Sequence, residues 1–250
     1  MKIQFILLAS LVFSMNILFA QNARFTHSGV IEFEKSINQH AAIKKSMSGN
    51  TMFSGSFDNF KKSIPQFKIL KSTLKFSDNK TLFTPIADEN SRSMFGGEQP
   101  NTTYTDLTTN TFTTEKMLFE EVFLVKDSTR KINWKLTSEI RDIAGYECRR
   151  ANAIIMDSVY VVAFYTDKIP VSGGPESFTG LPGMILGVAL PHDNITWFAK
   201  TVTDRPIPAT EIKPPVKGKQ TNNKGLLETI TKLKDRWGSH INTLIKQMLL

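Results

Sequence analysis

Apolar and polar residues alternate with a period of two over much of this chain. Gly29 to Ile37 sets Val30, Ile31, Phe33 and Ile37 among Glu32, Glu34 and Lys35, which predicts a first strand with one wet face. The same character returns from Ser63 to Ile86, where Phe67, Ile69 and Leu70 lead to Leu74 and Phe76 and Asp78-Asn79-Lys80 turns the chain back. Threonine-rich 102–117 reads as a second hairpin around Thr108-Thr109-Asn110. Further strands are expected at Phe119–Val125, Ile132–Ile140, Tyr146–Met156, Ser158–Thr166, Met184–Leu190 and Ile195–Val202. Ser158–Thr166, SVYVVAFYT, is apolar on both faces at its centre and belongs inside a sheet. Strand follows strand without helix alternation, so the sheet should be antiparallel. The expected fold is mainly β (α+β), a curved antiparallel sheet or half-open barrel with a C-terminal helix packed on it.

The period changes in three places. Residues 40–62 mix Ile43, Met47 and Phe60 with lysines and serines, part helix and part loop. Residues 203–221 hold four prolines with Lys213, Lys217 and Lys219, the composition of an extended basic tether. From 222 to 250, Leu226, Ile230, Leu233, Trp237, Ile241, Leu244 and Met248 recur at gaps of three or four, one stripe of an amphipathic helix that Asn222 or Asn223 can cap. Its other face is basic, so packing on the sheet competes with docking on a partner or membrane surface.

Residues 1–20 are set apart. Lys2, the apolar run Ile3–Phe19 and the small residue Ala20 have the layout of a cleaved secretory signal, leaving a β-rich domain over 21–202. Export to the periplasm or cell envelope is the expectation. It argues against a nucleic-acid partner despite a net charge of +8, which then favours anionic membrane surfaces. Cys148 is the only cysteine, so no intrachain disulfide forms and stability must come from packing.

Familiar chemistry is absent from the pattern. His27, His40, His192 and His240 stand far apart, with no metal-ligand spacing. No GxSxG, GxxxxGK[ST] or GxGxxG occurs, so neither a nucleophile elbow nor a phosphate cradle is supported, and no cofactor or catalytic residue is expected. Asp167, Glu176 and His192 are the polar residues whose convergence would revive an enzymatic reading.

The densest signal is Tyr165–Gly187, YTDKIPVSGGPESFTGLPGMILG. Its glycines and prolines interleave with Phe178, Leu181, Met184, Ile185 and Leu186, which predicts a tightly shaped turn pressing apolar side chains inward. Phe178-Thr179-Gly180-Leu181-Pro182-Gly183-Met184-Ile185-Leu186, with Gly145–Ala151, Phe164–Pro170 and Gly174-Pro175, resembles the GLPGLI family of exported Gram-negative bacterial proteins. Met184 replaces the usual leucine, and Phe164-Tyr165 stands where that family has a tryptophan. The resemblance implies an exported protein of unknown molecular function, with no catalytic residues or cofactor to carry over. Members are also somewhat similar to curved-sheet carriers that shuttle lipoproteins across the periplasm, a likeness of fold. The residues expected to line a ligand or shape the motif are Tyr146, Cys148, Pro170, Gly174, Pro175, Phe178, Gly180, Leu181, Pro182, Gly183 and Met184.

Three functions follow as expectations. The first is a non-enzymatic binding or carrier protein for a lipid, another apolar ligand or an outer-membrane component. The second is an accessory module docking on an outer-membrane protein complex. The third is a hydrolase-type enzyme.

Overall fold

The computed structural model describes residues 25–47, 61–87, 100–118, 121–237 and 249. The expected leader at 1–20, residues 48–60 and 88–99, and most of the expected helix beyond 237 lie outside the described residues.

Strand β1 (Gly29–Asn38) is the pivot. Helix α1 (Gln39–Met47) follows it, and then β2 (Phe67–Ser77), β3 (Lys80–Pro85), β4 (Thr102–Asp106), β5 (Thr111–Leu118) and β6 (Glu121–Ser128) step away from one side as a meander. After a crossing segment, β7 (Lys135–Ile143), β8 (Tyr146–Ile155), β9 (Val159–Thr166), β10 (Met184–Leu190) and β11 (Ile195–Asp204) step back until β11 pairs with the other side of β1. β12 (Lys219–Thr221) then adds to β6, giving one open 12-stranded sheet. β7 also touches β11, so that end of the sheet curls over.

One expectation about pairing needs correction. Every other neighbour is antiparallel, but β12 pairs parallel to β6, Lys219 opposite Phe123 and Thr221 opposite Val125, so the sheet is mixed. The segment read from composition as a tether is also more ordered than its prolines imply. It begins as the end of β11, buries Ile207 and Ile212, and finishes as β12.

Turn chemistry explains the tight hairpins. Asp78-Asn79, Ala144-Gly145 and Met156-Asp157 each place two successive residues at positive φ. That is the type I′ geometry whose twist matches paired strands. On β1 the alternation sends Ile31, Phe33, Lys35 and Ile37 to one face, here called inner, which also carries Leu74 and Phe76 of β2 and Trp197 of β11. Helix α2 (Asn223–Trp237) begins where Asn222 Oδ1 accepts the Gly225 N–H at 2.9 Å, and seats Leu226 and Ile230 against Phe123 and Val125 of β6.

Candidate functional site

Between β9 and β10 the chain leaves the sheet and lies over its inner face. Its backbone bonds largely to itself and to the adjoining strand end. Met184 N–H donates to Ile169 O at 3.0 Å and Ile185 N–H to Gly173 O at 2.8 Å. Ser172 Oγ donates to Leu181 O at 2.6 Å and accepts from Gly180 N–H at 3.1 Å. Leu181 is 1% exposed and Met184 not at all. Phe178 meets Trp197 edge to face, with ring centroids 6.2 Å apart. The crossing segment ties in from outside, Trp134 Nε1 donating to Thr179 O at 2.9 Å.

Glycine is required where the loop comes closest to its neighbours. A Cβ on Gly174 would lie 2.8 Å from Ile185 Cβ. At Gly183 it would lie 2.1 Å from Thr166 O, at a φ of +142°. Gly174, Pro175, Phe178, Leu181, Gly183 and Met184 are buried, while Pro170, Gly180 and Pro182 reach the surface. The motif residues therefore form core with an outer rim.

The loop also carries a charge inward. Glu176, at a φ of 53°, is buried; its Oε2 accepts from Asn101 Nδ2 at 3.3 Å and its Oε1 lies 4.0 Å from Lys35 Nζ. Lys35 sits over the Trp197 ring, 4.9 Å from its centroid. Burial pulls the Lys35 ammonium below its ordinary range, and Glu176 works against that pull. Lys116 of β5 is pushed from 10.5 to about 8, mainly by burial; Glu176 opposes this, and Arg130 and Lys35 add to it. Burial lowers Arg130 too, and its Nη2 donates to Leu249 O at 2.7 Å. A cavity of about 30 Å³ beside Lys116, Arg130 and Ser177 is of water size. Ser72 Oγ and Trp197 Nε1 are buried with no hydrogen-bond partner among the described residues.

These charges make stability depend on pH. The folded pKa of Lys116 lies below the unfolded one, so the unfolded chain binds more protons between about 8 and 10.5. Stability should therefore rise with pH across that window, by on the order of 3 kcal/mol. Urea midpoints measured from neutral to alkaline pH should show the rise. Lys116→Met should flatten it and raise the neutral-pH midpoint.

The sequence pattern counts Lys35 with Glu32 and Glu34 on the wet face of the first strand and passes over Lys116, whereas the structure buries both, although a signal for this existed. Each occupies an inner-facing phase of its strand, Lys35 between Phe33 and Ile37 and Lys116 between Thr114 and Leu118. The residues proposed for an acid–base centre stay apart. Asp167 pairs with its neighbour Lys168 at 3.9 Å, Glu176 points to Lys35 and Asn101, and His192 rests against Tyr160. A surface cleft of about 310 Å³ gathers Glu147, Arg149, Tyr165, Asp167 and Lys168, with no nucleophile–base pair. Among the described residues no three His, Cys, Asp or Glu side chains group to hold a metal.

Tyr146 is half-buried, its hydroxyl 3.4 Å from Thr26 Oγ1. Cys148 is wholly buried, its Sγ–H donating to Tyr146 O at 3.3 Å. Burial first, then Asp142 and Glu147, push the thiol up to about 12. A thiol so held is a poor nucleophile. Ellman's reagent should label Cys148 only after denaturation, and non-reducing gels of native protein should show no disulfide dimer.

Residues 154–187 match the model of a family described as protein of unknown function (Porph_ging), a span running from the end of β8 through the whole glycine–proline loop. The family match lies there, and membership of the GLPGLI family is not what it shows. No curated protein matches the chain. Two solved structures of PNGF-II are similar. The C2 crystal form is 15% identical with a TM-score of 0.53, covering 82% of this chain and 33% of that one. The P21 form is 16% identical with a TM-score of 0.50, covering 78% and 32%. The chain thus spans about a third of the PNGF-II chains it matches, and at such identity the likeness is one of fold. The comparisons therefore tie the loop-bearing segment to an uncharacterised family, and the sheet to part of PNGF-II.

Proposed function

We propose that this chain is a non-enzymatic binding module of the cell envelope that engages its partner through exposed surfaces. One observation carries the choice: the inner face is already filled by the chain's own loop. Phe33, Phe76, Phe178, Leu181 and Ile185 meet there with almost no exposure. A carrier using that face would have to lift the loop and uncover Ile169, Val171, Phe178 and Leu181. At roughly 1.5–3 kcal/mol for each large apolar side chain, the cost is on the order of 10 kcal/mol. That is comparable with the whole stability of a domain, about 5–15 kcal/mol. Opening the inner face would be close to unfolding.

The leader-like stretch at 1–20 supports an envelope location. Large apolar side chains do reach the outside: Phe67 and Ile69 share the outer face of β2, and Ile86, bonded back to Lys71, continues that patch. Native mass spectrometry of protein isolated from its own envelope fraction should return the bare polypeptide mass, and in-cell cross-linking should trap an envelope component. A stoichiometric apolar molecule released on denaturation would overturn the reading in favour of a carrier.

A further inference from the structure

Between Ile212 and β12 the chain makes a short arch, Lys213-Pro214-Pro215-Val216-Lys217, anchored at both ends. Ile212 is buried on one side. On the other, Gly218 at a φ of +120° presses so close to β6 that a Cβ would lie 2.8 Å from Phe123 C and 2.9 Å from Leu124 N. Parallel pairing of Lys219 with Phe123 then locks the exit. Two consecutive prolines restrict the span between these anchors, so the arch is pre-shaped.

Its tip is Val216, 86% exposed and the most exposed large apolar side chain among the described residues. A second exposed apolar side chain lies across β6 from this arch. Gly218 abuts Val122, whose register partner on β5 is Met117, 52% exposed. Cations flank Val216. Lys213 and Lys217 flank Val216 with no ion pair among the described residues, and both are exposed. Lys219 reaches Glu121 at 3.5 Å while its side chain stays largely exposed.

We propose that this corner, the 213–219 arch, is a docking site for an anionic lipid bilayer. The inference rests on the surface-docking reading and names the partner's chemistry. A bilayer fits both halves of the corner at once. The aliphatic tip enters the headgroup region, and the flanking lysines, whose long stems let the ammonium groups stay at phosphate level, meet the negative charge. A merely acidic protein surface would pair with the lysines and leave Val216 in water. The chain's net charge of +8 adds a general attraction.

The test is vesicle co-sedimentation of the purified chain with phosphatidylglycerol and with phosphatidylcholine vesicles. Binding is expected on the first, weakened by salt, and little on the second. Val216→Asp and the pair Lys213→Glu/Lys217→Glu should each reduce partitioning about tenfold or more, and Val216→Trp should increase it. These positions are exposed, so the melting temperature should not change and a lost fold is not confused with lost binding. Equal binding to both vesicle types, or binding unmoved by all three variants, overturns the proposal. Cross-linking to an envelope protein without vesicle binding also overturns it, while leaving the surface-docking reading intact.

Discussion

Gly183→Ala is expected to cost about 4 kcal/mol or more, enough to leave the protein largely unfolded at ordinary temperature. The new Cβ would sit 2.1 Å from Thr166 O, 2.8 Å from Thr166 C and 3.1 Å from Asp167 Cα. All three are backbone atoms at the end of β9, so no side-chain rotation can make room. The φ of +142° adds strain that only glycine escapes. Gly180→Ala is the matched control. Its φ of +93° is also unfavourable, but the nearest atom to its Cβ is Trp134 Nε1 at 3.6 Å, an ordinary contact. It should cost only about 1 kcal/mol. Urea titrations followed by tryptophan fluorescence would separate the two. Equal costs would mean that close backbone packing at Gly183 does not hold the loop down.

Glu176→Ala is expected to cost about 3–4 kcal/mol, because it removes the carboxylate that offsets the burial of Lys35 and Lys116. Glu176→Gln keeps the shape and the Asn101 contact and should fall between wild type and alanine. Combining Lys35→Met with Glu176→Gln should recover much of the loss, since an apolar replacement needs no counter-charge. The pH profile supplies a second readout. Without Glu176 the Lys116 pKa should fall further below about 8, so the rise of stability with pH should begin earlier. A cost under about 1 kcal/mol for the alanine variant would mean that the buried ion pair does not anchor the loop.

The fold was legible where local rules act alone. The 29–37 alternation became β1, Asp78-Asn79 made the hairpin it promised, and the doubly apolar 158–166 became the interior strand β9. Asn222 caps the C-terminal helix as its amide allows. β12 was illegible for a physical reason. Lys219-Gln220-Thr221 has no apolar alternation, and it joins the sheet by backbone hydrogen bonds that any sequence can make. Composition misled at Ile207 and Ile212, because proline and lysine content describes a solvated chain and is blind to two apolar residues that find a surface.

By itself the sequence determined most of the strands, most of their turns and the inward, close-packed character of the glycine–proline loop, while β12 was missed and β7 lies three residues later than the expected Ile132–Ile140. Periodicity, turn chemistry and glycine spacing all act within a few residues. Tertiary structure alone decided what that loop covers, and that Glu176 descends beside Lys35 and Asn101 with Lys116 nearby. It likewise decided that Val216 projects from an arch anchored at Ile212 and Gly218. Each of these meetings joins residues far apart in the chain. They are set by how two meanders close on β1, which no local pattern encodes.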